Sequence, residues 1–164
     1  MRTIDRILAL GLFFTLAAGG AVAGNGIGSG YTTDEDVMMT GLAGYQTTAA
    51  FTVGETINGY TAPGIPDGMG IVELDKRRVR VFVNHELTDE AGYTYELANG
   101  TELTGARVSY FDFHRQSRKL LGAGLAYDTI VDRYGDVVTD PAQVNEDNGS
   151  DMDGFDRLCS AWLG

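Results

Sequence analysis

Cysteine is almost missing from this chain. Cys159 is the single one in 164 residues, which excludes an internal disulfide framework. Proline is scarce as well, at three, whereas glycine reaches 23, about twice the usual usage of ~7%. Glycine without proline does not make a stiff linker, and it reads here as the turns and bulges of a β-rich chain. Basic residues are few: 12 face 23 acidic ones, for a net charge of −11. Such a balance repels a phosphate backbone and argues against a nucleic-acid partner. It suits a cation binder, and it equally suits an exported protein that stays in solution by carrying excess Asp and Glu. Finally, no apolar run approaches the ~20 residues that a membrane-spanning helix requires.

Three catalytic motifs are absent too. His85-Glu86 would open a helical zinc-hydrolase motif, but Asp89 stands where the second histidine must be. No serine is flanked by glycines two residues away on both sides, so there is no nucleophile elbow. Neither Lys76 nor Lys119 ends a Gly-rich loop before Ser or Thr, so there is no P-loop.

What is present begins with residues 1–23. Arg2 and Arg6 precede an apolar run over residues 7–18, and Ala21-Val22-Ala23 supplies a small-residue cleavage site. This predicts a secretory signal peptide cleaved after Ala23, and hence a secreted or periplasmic chain with no membrane span after processing. Residues 24–48 read as a flexible leader, and residues 49–164 as the folded part.

Residues 49–53 are expected to form a strand, and Asn58-Gly59 is a strong turn dipeptide. Residues 70–74 and 79–83 are β-branched or apolar runs joined by Asp75-Lys76-Arg77-Arg78, the pattern of a hairpin. Its second strand delivers Asn84, His85 and Glu86 at its end, where side chains can converge on a ligand. On an extended segment Asn84 and Glu86 face one side and His85 the other. Residues 87–105 are polar and read as a long excursion between strands. Residues 107–113 resume a strand, residues 114–119 a basic turn, and residues 120–130 one or two further strands. Short strands about every ten residues predict an all-β architecture of the sandwich, barrel or propeller kind.

The acidic loop over residues 145–154 imitates part of a calcium loop through Asp151 and Asp153, but Gly149 and Ser160 replace its first and last ligands. By its chemistry alone, Cys159 reads as a small buried apolar residue.

Three segments together point further: Gly54-Glu55-Thr56-Ile57-Asn58-Gly59-Tyr60, Pro63-Gly64-Ile65-Pro66-Asp67-Gly68-Met69-Gly70 and Val83-Asn84-His85-Glu86-Leu87. They resemble the N-terminal part of the PhoX-type alkaline phosphatases, secreted bacterial proteins also catalogued as a domain of unknown function. Phe155-Asp156-Arg157-Leu158-Cys159-Ser160-Ala161 is similar to that family's Arg-aromatic-Cys-Ser segment, with Leu158 in place of the aromatic residue. Family members are several times longer, so the resemblance implies an N-terminal fragment, and for the fold it implies an incomplete β-propeller. It further implies hydrolysis of a small phosphate monoester at an iron and calcium cluster, with Cys159 a thiolate ligand to iron and Glu86 a metal ligand. Asn84 and His85 are secondary candidates. Thiolate suits iron and carboxylate suits calcium, so the mixture of donors is the one such a cluster requires. The alternatives are a non-catalytic propeller-type binding protein of the same family, and a fragment inactive by itself.

Overall fold

The computed structural model describes residues 35–45, 47–144 and 154–158. The expected signal peptide, Cys159 and nearly all of the acidic loop lie outside them. Among the described residues the chain is all-β: it has no α-helix, only a 3-10 turn at Pro141–Gln143, and three open sheets. No helix there is long and apolar enough to cross a membrane.

A short hairpin pairs β1 (Thr56–Ile57) with β2 (Tyr60–Thr61). Asn58 and Gly59 both take positive φ, 51° and 84°, as the tight turn demands. The main sheet is antiparallel, in the order β3 (Pro66–Glu73), β4 (Arg78–His85), β7 (Arg107–His114), β8 (Leu120–Leu125). The third sheet joins β5 (Tyr95–Glu96), β6 (Glu102–Gly105) and β9 (Gly154–Phe155), with β6 and β9 parallel.

The β3–β4 hairpin forms as its sequence predicts, closed by Asp75, whose carboxylate accepts from the backbone N–H groups of Arg77 and Arg78 at 2.8 and 2.9 Å. Two expectations differ. Residues 49–53 are not a strand; Phe51 instead lays its ring flat on Phe111, with centroids 4.4 Å apart. The excursion over residues 87–105 is not structureless, because the Asn99-Gly100 turn folds β5 back on β6.

Alternation along β4 and β7 puts Val83, His85, Arg107, Ser109 and Phe111 on one face of the main sheet, opposite in register as Val83↔Ser109 and His85↔Arg107. Val83 and Phe111 pack there with Ile57, Ala62, Leu120 and Ala123 into the main core. A smaller cluster gathers Tyr95, Leu97 and Leu103. Burial climbs along β4 from exposed Arg78 to fully enclosed His85, so this strand drives its last residues into the interior. In contrast β3 is exposed throughout, Met69 and Ile71 included.

Candidate functional site

The end of β4 is clasped by the loop that precedes β3. Gly64 and Ile65 pass beside it, and the Ile65 carbonyl accepts the Glu86 backbone N–H at 3.0 Å. Ile65 takes φ of 49°, a left-handed conformation costly for a β-branched residue. Such strain persists only where surrounding contacts over-determine it. The pairing of β3 with β4 then slips between Pro66 and Met69, so that Asp67 and Gly68 form a bulge. A Cβ on Gly68 would lie 3.9 Å from the Asn84 Cβ, which places the bulge over Asn84.

His85 is enclosed, and both ring nitrogens are engaged. Nδ1 lies 2.8 Å from the Gly64 carbonyl and Nε2 2.8 Å from Ser109 Oγ. A carbonyl can only accept, so Nδ1 carries the proton and Nε2 accepts from Ser109. Ser109 in turn accepts from the Tyr60 hydroxyl at 2.5 Å, which closes a chain with a single consistent set of donors. Burial, opposed by the Gly64 hydrogen bond and reinforced by the Arg107 charge, holds the His85 pKa below its ordinary value. The imidazole is therefore a neutral structural clamp with no lone pair to spare, and it is the weakest of the metal candidates.

Asn84 points to the opposite face. Its Nδ2 donates to the carbonyl of Leu158, 74 residues on, and its Oδ1 is buried without a hydrogen-bond partner among the described residues. Buried acceptors are rarely left unpaired, since that costs roughly 1–3 kcal/mol, so an oxygen left so marks a position for a missing donor or cation. Glu86 follows, half-buried just beyond the strand, and no salt bridge engages its carboxylate among the described residues.

Leu158 reaches Asn84 because residues 154–158 are fastened at several points. Gly154 and Phe155 pair with Thr104 and Gly105, Ala106 N–H donates to the Phe155 carbonyl at 2.7 Å, and Arg157 N–H to the Leu87 carbonyl at 3.0 Å. The chain leaves this segment directly into Cys159, whose own position lies outside the described residues. The structure thus brings together Asn84, Glu86 and the segment preceding Cys159, while it turns His85 away. Among the described residues no three His, Cys, Asp or Glu side chains gather as a metal site.

An amide oxygen with no partner among the described residues is a hard donor of the kind calcium takes, whereas a thiolate is the soft donor that iron prefers.

Sequence reasoning missed Arg107, Ser109 and Tyr60. The alternation Arg107-x-Ser109-x-Phe111 was the available signal, because it sets two polar residues on the same face as a core phenylalanine.

No family model, no curated protein and no solved structure matches this chain.

Proposed function

We propose that this chain is the N-terminal part of a secreted, metal-dependent phosphatase of the PhoX type, acting on small phosphate monoesters. The observation that carries the reading is the junction at Asn84: two segments of the family resemblance, 74 residues apart, meet through the Asn84 amide, whose buried oxygen has no hydrogen-bond partner among the described residues. The four-stranded antiparallel sheet is of the size of one propeller blade, which supports an incomplete propeller. Met69 and Ile71, 72% and 69% exposed on β3, supply an apolar face that further blades would cover.

Bound iron and calcium would supply Lewis-acid charge that neutralises phosphoryl oxygens and polarises the ester. The chain's own part is positioning. Asn84 ties the Leu158 carbonyl, and with it the entry to Cys159, to the end of β4. The clasp by Gly64 and Ile65 fixes where Glu86 leaves the strand.

The test is metal content and turnover in the full-length parent. Cys159→Ser is expected to lose iron, and Glu86→Gln to lose calcium, each with a fall of at least about 100-fold in phosphate release from an aryl phosphate. Full iron occupancy in Cys159→Ser would remove the ligand assignment, and a metal-replete parent inert on a panel of monoesters would favour a binding protein. The 164-residue chain by itself is expected to bind metal weakly and to show no turnover. The exported protein is expected to begin at Gly24 on N-terminal sequencing, and one that begins at Met1 would refute cleavage.

A further inference from the structure

On the face of the sheet opposite Asn84, Arg107 opens β7 and is 1% exposed. Its Nε donates to the Gly105 carbonyl at 3.2 Å, its Nη2 donates to the Tyr93 carbonyl, and the guanidinium lies over the Tyr95 ring, 4.4 Å from its centre. None of these partners carries a formal charge. Among the described residues no carboxylate comes within salt-bridge distance of Arg107. Enclosed charges are ordinarily paired with a counter-ion, because removal from water is costly and a neutral dipole compensates only in part. Burial pushes the Arg107 pKa down, and only the neighbouring Tyr60, Tyr95 and Tyr127 oppose that shift. Arginine nonetheless stays protonated, so a net positive charge remains inside a chain of net charge −11.

That charge borders a cavity. A space of about 460 Å³ is lined by Arg107 together with Tyr60, Thr61, Tyr93, Thr94 and Tyr95. The hydrogen bonds of Arg107 engage Nε and Nη2, and Nη1 makes none to an acceptor among the described residues. Glu96 also borders the cavity, but a Cβ on Gly100 would stand 3.8 Å from its Oε1, which places that carboxylate at the Asn99-Gly100 turn and not on the guanidinium. The cavity is of the size of small-molecule sites, which span roughly 300–1,000 Å³ and combine apolar or aromatic walls with a few fixed polar groups.

We propose that this cavity binds a small organic oxyanion, whose carboxylate or phosphate group pairs with the free edge of Arg107 while its planar body lies among Tyr60 and Tyr93. The chain's overall negative charge does not prevent this. Repulsion from distant carboxylates is screened within about 8 Å at physiological ionic strength, whereas the buried guanidinium acts at contact. The site is separate from the candidate metal position, since Arg107 and Asn84 stand on opposite faces of the sheet. It lies at the end of the Tyr60–Ser109–His85 chain, so an occupant would be sensed at the base of the β4 clasp.

The test titrates the 164-residue chain, kept in excess chelator, with phenylphosphonate, benzoate and inorganic phosphate, and follows binding by calorimetry. One-to-one binding of phenylphosphonate or benzoate tighter than about 1 mM is expected, with inorganic phosphate weaker because it cannot use the tyrosine walls. The stronger of the two ring-bearing probes identifies the preferred anion. Arg107→Lys keeps the charge but loses the planar fork, and is expected to weaken binding about tenfold. Thr94→Trp, at an exposed position on the rim, is expected to block entry without changing the melting temperature. No binding by any probe at about 10 mM, well above the dissociation constants expected of such a site, would overturn the proposal, as would undiminished binding in both variants. Chelation removes the metal centre from the experiment, so its failure would leave the phosphatase reading untouched.

Discussion

Gly105→Ala is expected to detach residues 154–158 from the sheet and, in the full-length parent, to abolish metal loading with it. Gly105 has φ of 75°, which an alanine adopts only with strain. The space is closed as well: a Cβ there would sit 2.4 Å from the Phe155 carbonyl oxygen and 2.8 Å from the Asp89 Cα. Both neighbours are backbone, so relief requires the strands to part. The pairing lost would be Gly105 with Phe155 and the Ala106–Phe155 hydrogen bond, the contacts that lead the chain toward Asn84. Conformational strain of ~1 kcal/mol plus an unrelieved backbone clash gives a loss of roughly 3 kcal/mol or more. Chemical denaturation and a metal analysis check it together. A variant that melts like the wild type and keeps its metal would show that β9 does not depend on this close approach. Gly154 offers the reciprocal case, since a Cβ there would meet the Thr104 carbonyl oxygen at 2.1 Å.

Phe111→Ala is expected to cost about 3–5 kcal/mol, a large share of the ~5–15 kcal/mol that a domain has in total. Phe111 is 1% exposed and stands at the centre of the main core, with Phe51 stacked on its ring at an interplanar angle of 8°. Its removal opens a cavity against strand residues that cannot collapse without leaving the ladder, and it releases Phe51, which has no strand of its own to hold it. Urea unfolding followed by circular dichroism measures the loss. A cost under about 1 kcal/mol would mean that the site repacks and that residues 49–53 are held by something else.

Much of the architecture is legible along the chain. The alternating runs around Asp75-Lys76-Arg77-Arg78 specify a hairpin because strand periodicity and turn chemistry agree there, and Asn58-Gly59 specifies a tight turn because both residues tolerate positive φ. Residues 107–113 likewise show the alternation that a strand with one buried face requires. The excursion over residues 87–105 misleads for an equally physical reason. Its strands are two and four residues long, too short to show a period, and they exist because the turn between them closes against the cluster of Tyr95, Leu97 and Leu103.

Sequence by itself therefore determined the class of the fold, the hairpin that carries Asn84, His85 and Glu86, and the opposite facing of Asn84 and His85, because these follow from local backbone geometry with a period of two. Only the tertiary structure decided what those residues meet. That His85 is saturated by Gly64 and Ser109, that Asn84 is joined to Leu158, and that Arg107 is enclosed with no carboxylate partner among the described residues all depend on chain segments 14 to 74 residues apart in sequence. Contacts of that range are set by which strands share an edge and which faces share a core, and a linear pattern of residue types does not encode that choice.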